Sequence, residues 1–108
     1  MTLQGLRDIL KEPGIPVAHY ETRQTEHPYI IYQELSTDYN IASGRAWRET
    51  TRVSVDHFTE IEWDPSLEML KLTLLKHKIN FTTATIWYED EEIIHTQFNL
   101  TISHELEV

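Results

Sequence analysis

The stretch that decides the fold is Pro28-Tyr29-Ile30-Ile31-Tyr32-Gln33-Glu34-Leu35, followed by a polar interval and then Thr50-Thr51-Arg52-Val53-Ser54-Val55-Asp56-His57-Phe58. Both arms are rich in β-branched and aromatic residues, which fit a pleated surface. Between them lie Ser36, Asp38, Asn40, Ser43 and Gly44, residues suited to turns. The spacing predicts a long antiparallel hairpin with a wide tip. In the second arm, residues 48–61, Val53, Val55, His57, Thr59 and Ile61 share the expected core face, and Arg48, Thr50, Arg52, Ser54 and Asp56 share the other. An arm of that length exceeds the usual 5–6 residues of a strand, so its outer half is expected to project beyond the core.

Elements that can cover one face of this hairpin lie on both sides of it. Residues 2–12 read as a short helix: Thr2 is placed to cap it, Leu3, Leu6, Ile9 and Leu10 recur at helical spacing, and Pro13-Gly14 ends it. Residues 15–20 suggest a short edge strand and 21–27 a polar loop. Asp64-Pro65 starts a second helix over residues 65–77, with Leu67, Leu70, Leu74 and Leu75 as its apolar stripe and Met69 and Leu72 on its flanks. Two further strands follow at 84–89 and 93–106. The last alternates most clearly, with Phe98, Leu100, Ile102, His104 and Leu106 against Asn99, Thr101, Ser103 and Glu105. This order predicts one α+β domain over residues 1–108: a two-layer sandwich with a mainly antiparallel sheet of four to five strands, two helices on one face, and a projecting hairpin.

Composition narrows the function classes. The 108 residues carry a formal charge of −9, which disfavours nucleic-acid binding because phosphate neutralisation needs Lys and Arg. There is no cysteine, hence no disulfide and no thiolate metal site, as suits a reducing cytoplasm. No apolar run approaches the roughly 20 residues that cross a bilayer, and no leader pattern opens the sequence, so no membrane partner is expected. The only glycines, Gly5, Gly14 and Gly44, do not form a phosphate cradle, and no Gly-x-Ser-x-Gly turn occurs. Asp56 and His57 are neighbours on a strand and point to opposite faces, so they do not form a catalytic pair. The six histidines, His19, His27, His57, His77, His95 and His104, have no His-x-x-x-His spacing. His57 and His104 share expected core faces and are read as a hydrogen-bonded core pair rather than a metal site. No catalytic residue, cofactor or metal is expected, and the chain is not read as an enzyme.

Two charged groups remain as candidate contact surfaces. Arg45, Arg48 and Arg52, with Trp47 among them, form a stripe in and beside the projecting arm, a composition common at protein interfaces. Glu60, Glu62 and Asp64, and separately Glu89, Asp90, Glu91 and Glu92, form acidic segments. As solvated charge they raise solubility and nothing more; as a functional surface they face a partner or a passage.

The order of elements, with Pro28-Tyr29-Ile30-Ile31-Tyr32 and the strand Arg52-Val53-Ser54-Val55-Asp56-His57-Phe58-Thr59, resembles the small tail-completion and tail-terminator proteins of long-tailed bacteriophages and prophages. His57 departs from the apolar residue expected at its position. The resemblance implies a structural, non-enzymatic virion protein, present in the host bacterial cytoplasm during assembly. It implies a ring, usually a hexamer, at the head-proximal end of the tail, which ends the tail tube and joins the tail to the head connector. The tail tube protein and the head–tail connector protein are then its partners. An acidic lumen would let DNA pass without sticking, with residues 60–64 or 89–92 facing that lumen or a partner ring. The other expectation is an acidic module, from a prophage or a bacterial regulator, that binds a basic host protein.

Overall fold

A computed structural model describes residues 1–20 and 26–106. Part of the expected loop, residues 21–25, therefore lies outside the described residues. The elements in chain order are α1 (Leu3–Leu10), β1 (Val17–His19), β2 (Tyr29–Ala42), β3 (Arg45–Thr59), α2 (Pro65–Lys76), β4 (Phe81–Tyr88) and β5 (Ile93–Glu105). The strands form one five-stranded sheet in the order β1-β2-β3-β5-β4. β1 pairs with β2 in parallel and all other pairs are antiparallel. The fold is α+β, with a mixed, open sheet.

The hairpin is longer and tighter than its composition suggests. Ser36, Asp38 and Asn40 continue β2, opposite Arg52, Thr50 and Arg48 of β3. Cross-strand pairing outweighs the weak strand preference of these residues. Leu35 and Trp47 fall at irregularities in the register. The tip is only Ser43-Gly44, closed by the Ala42–Arg45 pair. Both turn residues have positive φ, 54° and 79°, as the mirror-image two-residue hairpin turn requires.

One core joins both helices to one face of the sheet. Leu6 and Leu10 of α1 and Leu70 and Leu74 of α2 are buried against Ile30, Tyr32, Val53, Val55, Phe98, Leu100 and Ile102. Thr2 accepts a hydrogen bond from Gly5 N–H (3.1 Å) and caps α1. Asp64 caps α2, accepting from Ser66 N–H (2.8 Å) and from the Thr59 hydroxyl (2.5 Å), which ties the helix start to the end of β3. Two expected core positions lie outside: Ile61 is exposed because β3 ends at Thr59, and Leu75 is exposed on the outer side of α2.

His57 and His104 do not meet. His57 stands opposite Thr96 and His104 opposite Glu49, eight positions apart along β3. His57 is fully buried and bonds through Nε2 to the Ser66 hydroxyl at 2.8 Å. Burial pushes its pKa down to about 4, against a smaller opposing pull from the Asp64 carboxylate. It is a neutral core residue at the junction of β3 and α2.

Candidate functional site

The core ends well before the hairpin does. Val53 is fully buried, whereas Tyr39, Ile41 (70% exposed) and Trp47 (40% exposed) stand out of the core on the outer ribbon. From the Asp38–Thr50 pair, the first beyond buried Thr51 and Ile102, to the tip the ribbon runs five residues, about 16 Å at 3.3 Å per residue. β5 accompanies β3 along this outer part as far as the Arg48–Glu105 pair, and Leu106 N–H donates to the Trp47 carbonyl. The ribbon is therefore a third strand wide over most of its length, which stiffens it.

The arginines occupy distinct places. Arg45 pairs with Ala42 at the tip. The Arg48 guanidinium lies 5.2 Å from the Trp47 ring centroid, donates to the Ser103 hydroxyl at 3.3 Å and sits 3.6 Å from the Glu105 carboxylate. Arg52 is exposed on the helix-free face, one strand over from Thr101. Residues 36–52 contain these three arginines against Asp38 and Glu49, a net of +1.

The opposite end of the sheet is acidic. The Thr59–Ile94 and Tyr88–Ile93 pairs close that end, which brings residues 60–64 and 89–92 to the same edge. The two segments hold seven acids and no Lys or Arg, a net of −7. Glu60, Glu62, Glu89, Asp90, Glu91 and Glu92 are exposed. Asp64 is buried and committed to the α2 cap; burial alone would raise its pKa, but the hydrogen bonds from Thr59 and Ser66 hold it below the usual value. It contributes no surface charge. Glu60 lies 3.0 Å from His27 Nδ1.

Beside this acidic edge is an apolar cleft of about 660 Å³ between α2 and the outer strands. Trp63, Leu67, Trp87 and Ile94 give it apolar walls, Thr85 and Thr96 line it from the sheet, and Glu60, Glu62 and Glu68 stand among its lining residues with Lys71. It exists because neither helix reaches over β4, whose residues are nearly all exposed. Trp63 is 86% exposed and Trp87 is also open to solvent. The Thr96 hydroxyl is buried and makes no hydrogen bond among the described residues.

The outer side of α2 extends this apolar surface. Six of its twelve residues are apolar, yet only Leu70 and Leu74 of these are buried. Met69, Leu72 (64% exposed) and Leu75 repeat every third residue on the solvent side. A helix that is apolar around most of its circumference belongs in an interior or an interface. The abundance of leucine in 65–77 was the sequence signal for this surface, since one buried stripe needs fewer.

The helix-free face carries a polar and aromatic network that reading the strands singly does not reveal. Tyr29, Phe58 and His95 stack in a row across three strands, with centroids 5.0 Å and 4.4 Å apart. His95 Nε2 lies 2.7 Å from Asp56 Oδ1, and the Ser54 hydroxyl donates to Asp56 Oδ2 at 3.1 Å. Gln97 donates to Ser54 at 3.0 Å, and Tyr88 Oη lies 3.3 Å from His95 Nδ1. Every member of this set points along the sheet at another member, a closed arrangement that fixes the strands to each other. Among the described residues no group of three or more His, Asp or Glu is arranged to hold a metal ion, and no helix is long and apolar enough to cross a membrane.

The sequence matches no protein-family model and no curated protein. Among solved structures, one whose name states no function aligns over 100% of this chain and 97% of its own, with a TM-score of 0.55 and 13% identity. A likeness at that identity speaks to fold and not to function, and it supports the α+β architecture described above.

Proposed function

We propose that this chain is a structural subunit of a long-tailed phage or prophage, forming a ring at the head-proximal end of the tail that ends the tail tube and joins it to the head connector. The reading starts from the resemblance carried by residues 28–32 and 52–59. The observation that carries it is the ribbon: about 16 Å of β-structure beyond the core with Tyr39, Ile41 and Trp47 exposed. The end of the ribbon beyond the Arg48–Glu105 pair is only two strands wide, and such a hairpin gains stability when it lies on another protein. The chain also exposes a second apolar surface, the outer side of α2. Two different sticky surfaces on one subunit give head-to-tail contacts, which close into a ring when the rotation per subunit divides a full turn. In this reading Glu89, Asp90, Glu91 and Glu92 face the lumen or an adjoining ring, where negative charge keeps DNA from adhering.

The test is genetic and visual. Inactivating the gene in its prophage and inducing it should yield filled heads separate from tails, or tails of uncontrolled length, under the electron microscope. Intact particles of normal length and infectivity would contradict the reading.

A further inference from the structure

The two exposed surfaces lie at opposite ends of the molecule and complement each other. β3 spans the distance between them: its fifteen residues cover about 46 Å from Arg45 at the tip to Thr59 beside the cleft, within a molecule 53 Å long. The tip therefore does not fold back onto its own cleft. The tip offers exposed Ile41 and Trp47 with Arg45 and Arg48. The cleft offers Trp63, Trp87, Leu67 and Ile94 with Glu60, Glu62 and Glu68 around them. At about 660 Å³ it is of the size that accepts large side chains.

We propose that the β2–β3 tip of one copy docks into the cleft between α2 and β4 of the next, with Ile41 and Trp47 against Trp63 and Trp87 and the tip arginines against Glu60, Glu62 and Glu68. This rests on the ring reading and names the contact that builds the ring. The choice of a second copy as occupant follows from charge: the tip, residues 41–48 with Glu105 beside Arg48, is net +1, and the exposed acids of residues 60–64 and 89–92 give the cleft edge a net −6, in a chain of −9 overall. Two tips repel weakly and two clefts strongly, so the favoured contact is tip to cleft, and the ring reading requires it to repeat head to tail rather than close as a reciprocal pair. Both surfaces belong to every subunit, so one contact repeats without a second kind of partner.

The absence of cysteine makes a direct test available. Ile41→Cys and Thr85→Cys both replace exposed side chains. The two single variants, mixed at high concentration and oxidised, should give a disulfide-linked pair joining one chain of each kind. A chain carrying both substitutions should give a ladder of multimers. Reversing charge at one side, with Glu62→Lys or Arg45→Glu, should reduce cross-linking at least several-fold, and mixing the two reversed surfaces should restore it. Sedimentation of the same samples separates the two ways of failing. Association without Ile41–Thr85 linkage, or linkage within either single variant alone, overturns this contact and leaves the ring standing. A monomer at all concentrations up to about 1 mM, which puts any self-association weaker than about 4 kcal/mol, overturns both.

Discussion

At the residue scale, the most informative side chain is His57. Buried and neutral, with its pKa pushed down to about 4, it is protonated in the unfolded chain near pH 6.5 before it is protonated in the fold. Its contribution is therefore fully present above about pH 6.5 and declines as pH falls toward 4. The carboxylates with lowered pKa values, Glu12, Glu34 and Asp64, act in the same direction but only below about pH 4.5, the unfolded carboxylate range. Between pH 6.5 and 4.5 the two effects are separable. We expect urea unfolding of wild type to lose on the order of 3 kcal/mol over pH 7.5 to 4 relative to His57→Gln, whose amide keeps a partner for Ser66. Parallel pH profiles for the two proteins would show that His57 is not held neutral by the core. Asp64 gives a second residue-scale expectation. Asp64→Ala removes the α2 cap and the Thr59 bond together, and thermal or urea unfolding should register a loss of about 1–2 kcal/mol; an unchanged midpoint would mean the cap carries no stability. Sequence alternation placed His57 on the core face but not its height along the strand. Alternation fixes face and not register, which is why the expected His57–His104 pair dissolved into His57–Ser66 and His104 beside Glu49, with His104 Nε2 3.8 Å from the Glu49 carboxylate. The Asp56–His95 contact escaped for the same reason, since it joins neighbouring strands on a diagonal.

At the element scale, the hairpin arms were legible from Tyr29-Ile30-Ile31-Tyr32 and Val53-Ser54-Val55 because β-branched and aromatic residues have few other comfortable settings. The outer ribbon was not, because Ser36, Asp38 and Asn40 are ordinary turn residues whose strand conformation comes from partners across the sheet. The edge strand β1 was legible within residues 15–20, but its parallel pairing with β2 was not, since three residues carry little pattern. Helix α2 was legible in extent, and of its expected apolar stripe only Leu75 faces solvent, beside the flanking Met69 and Leu72. That exposed side defines an expectation. Leu72→Ser and Leu75→Ser remove exposed side chains and should change unfolding stability by no more than about 0.5 kcal/mol each. Leu74→Ala, on the buried side, should cost about 2–5 kcal/mol by chemical denaturation. Equal losses on the two sides would place α2 differently from the fold described here. The same contrast applies along the ribbon: Ile41→Ser should leave the monomer's stability almost unchanged and weaken self-association, whereas Val53→Ala should lower stability.

At the scale of the whole molecule, the sequence announced a charge imbalance without its geometry. Residues 60–64 and 89–92 are distant in the chain, and only the closing pairs Thr59–Ile94 and Tyr88–Ile93 bring them to one edge. The arginine-bearing ribbon points the other way. The molecule is elongated, near neutral at one end and strongly acidic at the other, with exposed apolar surface at both, and the proposed tip-to-cleft contact uses both ends. Salt should act accordingly: because the proposed contact includes exposed ion pairs, raising ionic strength from about 0.05 M to 0.5 M should weaken self-association. The most direct measurement is sedimentation velocity of the wild-type protein and of Ile41→Ser from micromolar concentration to about 1 mM. A discrete closed species of several chains is expected for wild type, displaced toward monomer in the variant. A wild-type protein that stays monomeric throughout would contradict that expectation.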